Sequence, residues 1–180
     1  MDRLQRASVL LALNEQLRAA GSWAGETHMQ KATYFLQHLM GVPLAFDFIL
    51  YKHGPFSFDL RDELTAMRAQ GFLRLEPQYP YGPTLVAGEK SELLKNTFRT
   101  MIEGYIPKIR FVSEKLASKT VTDLERTATA LYVTLEGQTA TTDRVRRLNQ
   151  LKPHIAPEDA QAAVSEVDGI ILEANRRRAS

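Results

Sequence analysis

The sequence contains no cysteine, and this absence removes several kinds of site at once. Disulfide bonds, thiolate nucleophiles and cysteine-based zinc or iron–sulfur centres are excluded. A chain without cysteine also suits a reducing compartment. At 180 residues, a single domain buries roughly 70% of the surface of its unfolded chain. We therefore expect a fold that is held together by its core without covalent cross-links.

Long hydrophobic runs are also missing. No apolar run reaches the roughly 18 residues that a transmembrane helix needs. The first 21 residues, MDRLQRASVLLALNEQLRAAG, carry polar side chains such as Asn14, Glu15 and Arg18 at helical spacing, which is not typical of a signal peptide. We therefore expect no contact with a membrane and a location in the cytoplasm.

The chain has little excess charge and lacks the familiar catalytic motifs. Its 23 basic and 21 acidic residues leave a net charge of +2, and no segment forms the concentrated basic stripe of a strong DNA binder. There is no H-x-x-x-H pair, glycine-rich phosphate loop or G-x-S-x-G turn. His28 and His38 are ten residues apart, about 15 Å along a helix, which is too far to share a metal. We therefore expect no metal, no cofactor and no enzyme activity. An enzyme whose site we do not recognise is the third of three functional hypotheses, after two kinds of binding protein.

The first half of the chain alternates between helical and β-like patterns. Apolar spacing predicts a helix over residues 2–20 and a second helix from Thr27, opened by a capping box with Gln30. A third helix is predicted from Ser57 to a stop at Gly71. The β-like runs are residues 46–51, 72–76 and 84–87, of which the last two predict a hairpin.

The second half is predicted to be helical throughout. Residues 89–119 form one long helix that Gly104 and Pro107 should kink or split. A capping box of Thr122 with Glu125 opens the next helix, a short helix covers residues 140–150, and Pro157 opens the last one.

The order helix, helix, strand, helix, hairpin is that of a winged helix. The sequence thus predicts a mainly α protein with a small β-sheet, in which a winged-helix-like unit (1–87) is followed by a C-terminal helical segment (88–180) packed on it, together forming one compact domain. About 17 residues separate the second and third helices, so the strand at 46–51 is expected to lie beside the hairpin and complete its sheet.

The second helix carries Lys31 and Tyr34, and the later strings of note are YKHGPFS at 51–57, the Gly71–Phe72 pair, LERTATALYVTL at 124–135, and VRRLNQLKPHIAPEDAQAAV at 145–164. Together these residues resemble the Panacea-type antitoxin domain and related winged-helix proteins of prokaryotes and phages. The resemblance covers residues 27–75 and 124–164. It implies a non-enzymatic regulator that neutralises a toxin encoded nearby.

Two surfaces are candidates for binding a partner protein. Arg61, Thr65 and Arg68 share one face of the third helix, where acidic side chains lie beside them. Tyr79 and Tyr81 lie at the tip of the hairpin, and exposed tyrosines are frequent anchors of protein interfaces.

The alternative function is that of a DNA-binding transcriptional regulator, with a possible dimer through the C-terminal helices. An antitoxin could also combine both functions by repressing its own operon. The basic residues that could contact phosphates are Lys52, Arg61, Arg68, Arg144, Arg146 and Arg147. In this interpretation KHGPFS at 52–57 is mainly a structural corner, since glycine, proline and a capping serine explain it.

Overall fold

A computed structural model describes residues 1–79, 81–137 and 140–179. The helices are α1 (Arg3–Ala19), α2 (Glu26–His38), α3 (Phe58–Ala69), α4 (Ser91–Thr97), α5 (Arg99–Leu116), α6 (Val121–Leu135), α7 (Thr141–Leu151) and α8 (Pro157–Ala179). The strands are β1 (Ile49–Tyr51), β2 (Gly54–Phe56), β3 (Leu73–Gln78) and β4 (Tyr81–Ala87). The prediction of a mainly α fold with a small β component is confirmed.

The core is shared by the segments before and after residue 87. Helix α1 packs on α5 and α2, α2 also packs on α6, and α6 packs on α8. Leu10, Leu13 and Leu17 of α1 are fully buried, as their spacing predicts. Among the described residues, no helix combines the length and apolar character that crossing a bilayer requires.

The expected strand pairing is wrong. The strand predicted at 46–51 is reduced to β1, which pairs antiparallel with β2, while β3 pairs with β4 in a separate sheet. Tyr51 lies opposite Gly54, so the chain reverses through Lys52 and His53 alone. Gly54 has a φ of +85°, a conformation that glycine adopts without strain, and this lets the chain fold back at once.

The predicted start and end of α3 are confirmed. Ser57 accepts a hydrogen bond from the Leu60 backbone N–H at 3.2 Å, and Gly71 adopts a φ of +77° after the last turn.

Both predicted capping boxes are wrong. Helix α2 begins at Glu26 after Gly25, with no side-chain cap, and α6 is capped by Thr120 with Asp123. Gln30 and Glu125, the expected capping partners, are buried and point to other elements. Gln30 and Glu125 each make a tertiary contact instead, while α6 keeps a local capping box that lies two residues earlier than predicted.

The long helix predicted over 89–119 divides elsewhere than expected. The break falls at Phe98, between α4 and α5, whereas α5 continues through Gly104 and Pro107. A proline removes one backbone donor, and neighbouring contacts can carry a helix past it. Ile102, Ile109 and Val112 of α5 are buried in the core on both sides of this proline.

Candidate partner-binding surface

The turn from β1 into α3 is held in place by two side chains of α2. The amide of Gln30 donates to the Ser57 carbonyl and accepts from the Ser57 N–H, each at 2.9 Å. Lys31 Nζ donates to the Pro55 carbonyl at 2.9 Å. This turn, which we call the corner, therefore has a fixed position on α2, and so do the side chains that it exposes to solvent.

The corner presents an aromatic patch, which we define as Ile49, Tyr51, Phe56 and Phe58. The ring centroids of Tyr51, Phe56 and Phe58 lie 5.1 to 5.7 Å from one another. Phe56 is half-buried, but Ile49, Tyr51 and Phe58 are 48%, 53% and 41% exposed. Large apolar side chains held together at the surface are typical of a protein interface.

Arg61 extends this patch onto α3. Its guanidinium lies 5.1 Å from the centre of the Phe58 ring and pairs with Asp62 at 3.0 Å. Thr65 donates a hydrogen bond to the Arg61 carbonyl at 3.0 Å and accepts one from Arg68 at 3.1 Å, so the three residues predicted to share a face do so. Glu63 of the same helix is buried and pairs with Arg3 of α1 at 3.0 Å.

The tip of the β3–β4 hairpin carries Tyr79, which is 98% exposed and belongs to no packed cluster. The backbone of Tyr81 pairs with Gln78, but its side chain lies outside what the structure describes. Among the side chains that the structure describes, the hairpin tip thus offers the exposed ring of Tyr79, apart from the aromatic patch.

The structure gives the basic residues of α7 unequal surroundings. Arg144 is buried and donates to both carboxylate oxygens of Asp168 on α8, at 2.5 and 2.8 Å, so the expectation that it is available to a phosphate is wrong. Arg146 is exposed and pairs with Asp143 at 3.1 Å. Arg147 pairs with Glu136 at 3.0 Å. Each expected phosphate contact on α7 therefore already has an acidic neighbour.

Beneath the corner lies a buried charge cluster, which we define as Lys31, Glu125 and Lys152. Glu125 Oε1 is 3.2 Å from Lys152 Nζ, within ion-pair distance but without hydrogen-bonding geometry. Lys152 Nζ also donates to the carbonyls of Tyr51 and Lys52. The largely exposed His53 and His154 approach Glu125 from either side, at 3.5 and 3.3 Å.

Burial lowers the pKa of Lys31 to about 8, and the neighbouring Lys152 acts in the same direction while Glu125 opposes both. No group of histidine and carboxylate side chains in the described part of the chain has the arrangement that holds a metal ion.

The sequence contained a signal for the aromatic patch that our site prediction missed. Alternation over 46–51 places Ile49 and Tyr51 on the opposite face from Phe46 and Phe48, and the structure confirms that the first pair is the exposed one. Phe58 falls outside the apolar spacing of Leu60, Leu64 and Met67. Three large apolar residues without a place in the core could thus have been recognised.

No protein-family model matches the chain, and no curated protein matches it. The resemblance to the Panacea-type antitoxin domain therefore stays a prediction.

Proposed function

We propose that the protein is a non-catalytic regulator of antitoxin type that acts in the cytoplasm by binding a partner protein. The observation that carries the proposal is the aromatic patch with Arg61 stacked on its edge. Tyrosine, other aromatics and arginine are the residues that most often dominate the binding energy of protein interfaces. The resemblance to antitoxin domains suggests that the partner is a toxin encoded by the neighbouring gene.

The patch is suited to recognition because it is rigid before binding. Its rings already pack against one another, and the corner below is fastened to α2 by Gln30 and Lys31. Little side-chain freedom is then lost when a partner covers it, which favours affinity. The partner surface that fits would be apolar, with a carboxylate or carbonyl oxygen placed to meet Arg61.

Co-expression with the neighbouring gene product tests this function. We expect the two proteins to co-purify and the protein to restore growth inhibited by its partner. Replacing Tyr51 or Phe58 by alanine should weaken the complex by about 2 kcal/mol each if they are hot spots. Leu172→Ala is the matched control, because Leu172 is a 60% exposed apolar residue on α8. Unchanged affinity of both patch variants would show that the interface lies elsewhere.

Binding of DNA is less well supported by the same surface. Arg61 already contacts Phe58 and Asp62, and the exposed carboxylates of Asp59 and Asp62 would face phosphates beside it. Phosphate-driven affinity should fall with a slope of about 0.9 per contacted phosphate against log salt. Duplex binding at low salt that disappears in Arg61→Ala and Arg68→Ala would favour the regulator of transcription over the protein-binding antitoxin.

A further inference from the structure

Lys31 differs from the other buried charged residues in its partners. Among the described residues, Glu63, Glu125, Arg144 and Lys152 are the other buried lysine, arginine or glutamate side chains. Each of these four has an ion-pair partner within 4.0 Å. The Lys31 ammonium instead has the neutral Pro55 carbonyl as its hydrogen-bond partner. A buried ammonium is costly unless it is paired, so this site has room for a counter-charge.

The charges around Lys31 leave an excess of positive charge. Glu125 faces Lys152 and His154 at Oε1, at 3.2 and 3.3 Å, and His53 at Oε2, at 3.5 Å. Glu26 and Lys52, whose formal charges cancel, are both exposed and line the same cavity. The ammonium of Lys31 is thus the one buried cation of this cluster without a compensating carboxylate. The lowering of its pKa agrees with this.

A cavity of about 230 Å³ leads from solvent to this lysine. Its exposed lining residues are Glu26, Tyr51, Lys52 and His53, and its buried ones include Gln30 and Lys31. The exposed residues therefore form the rim and the buried ones the floor. A small ligand that enters would meet Lys52 and His53 first and Lys31 last.

We propose that this cavity binds an oxyanion, a phosphate or a carboxylate group, with Lys31 at its floor and Lys52 and His53 at its rim. Oxyanions accept hydrogen bonds from ammonium and imidazole groups, and such charge-assisted bonds are strong where water is displaced. The site does not depend on the partner protein proposed above, although Tyr51 and Phe56 line both the cavity and the aromatic patch.

Spectra of the protein labelled with ¹³C at the lysine ε-carbons test the proposal directly. The Lys31 resonance is identified by its loss in Lys31→Met, and inorganic phosphate or acetate is added at constant ionic strength. We expect a saturable shift of this resonance and a rise of its apparent pKa by about one unit, which equals tenfold tighter binding to the charged amine. The resonance of Lys115, which pairs with Glu173 on another face, should stay in place.

Two variants make the outcome decisive. Lys52→Met changes an exposed side chain, so it should fold normally and bind the anion several-fold more weakly. Phosphate should also raise the melting temperature of the wild type more than that of Lys31→Met, which separates site binding from the general stabilisation by phosphate salts. If phosphate binds more tightly than acetate, the ligand carries a phosphate group, and if acetate binds more tightly, it carries a carboxylate. If neither anion shifts the Lys31 resonance saturably, or if Lys31 and Lys115 shift alike, the proposal is wrong.

Discussion

At the scale of single residues, Lys31 shows how burial converts a common side chain into one that senses pH. Its amine is enclosed by α2, the β1–β2 corner and α6, and the cost of burying its charge displaces its pKa to about 8. In the unfolded chain the same amine takes up a proton near pH 10.4. Between these two values the unfolded chain binds more protons than the folded one.

The stability of the protein should therefore rise with pH between about 8 and 10. The contribution of Lys31 amounts to about 2–3 kcal/mol across that window. Lys31→Met removes the group, so urea denaturation at several pH values should give a flatter profile. Lys115→Met, the control, should keep the slope. Above pH 10 the buried Tyr34 opposes the trend, because burial raises its pKa while tyrosine in the unfolded chain ionises. Equal slopes for the wild type and Lys31→Met would contradict the burial of a charged amine.

Gln30 has an equally specific role as a hydrogen-bonding partner of the Ser57 backbone. Gln30→Ala leaves the buried N–H and carbonyl of Ser57 without these partners, and we expect a loss of about 2–4 kcal/mol in the free energy of unfolding. Gln161→Ala on the exposed face of α8 serves as the control, with a change below about 0.5 kcal/mol. Denaturation midpoints of the two variants within error of each other would contradict this role.

At the scale of elements, the β1–β2 hairpin depends on one glycine. Gly54 combines a positive φ with a tight environment, since a Cβ there would lie 3.2 Å from Thr129 Oγ1 and 3.4 Å from the Glu125 carbonyl. The hairpin is thus shaped both by its own turn and by the surface of α6 beneath it.

Gly54→Ala should destabilise the protein by about 1–2 kcal/mol from backbone strain alone, with the contact to Thr129 adding to it. Gly104→Ala offers a matched control within α5, where a Cβ meets nothing within 4 Å. This second change should stabilise by about 0.5–1 kcal/mol, as expected for alanine in a helix. Thermal unfolding of both variants checks the opposite signs, and a stabilised Gly54→Ala would refute the strained turn.

At the scale of the whole molecule, ion pairs of buried basic side chains connect the C-terminal helices to one another and to the β1–β2 turn. Arg144 connects α7 to α8 through Asp168, and Lys152 connects the loop after α7 to α6 and to the β1–β2 turn. These contacts fasten the C-terminal helices to the corner that carries the aromatic patch. Arg144 and Lys152 look like part of a basic surface cluster in the sequence, but in the structure they form these internal contacts.

Arg144→Met should accordingly cost about 1–3 kcal/mol of stability, because Asp168 and the threonines nearby lose a charged donor. Arg146→Met, two residues away and exposed, should change stability by less than about 0.5 kcal/mol. Urea midpoints measure both. A similar small effect in the two variants would mean that Arg144 is as dispensable as a surface residue.

The sequence alone determined the features that depend on neighbouring residues. The apolar spacing gave the buried face of α1, Ser57 and Gly71 gave the limits of α3, and the alternation over 46–51 set Ile49 and Tyr51 on the face opposite Phe46 and Phe48. These are properties of a few consecutive residues, so they can be recognised without knowing the rest of the fold.

Only the tertiary structure decided what Gln30, Lys31 and Glu125 do. The sequence favoured helix caps for the first and last, because the capping motif is local and common. Their actual partners are at least 24 residues away along the chain, as in the Lys31–Pro55 and Gln30–Ser57 contacts. A buried polar group must find a partner wherever packing brings one close, and no local pattern records which distant residue that will be.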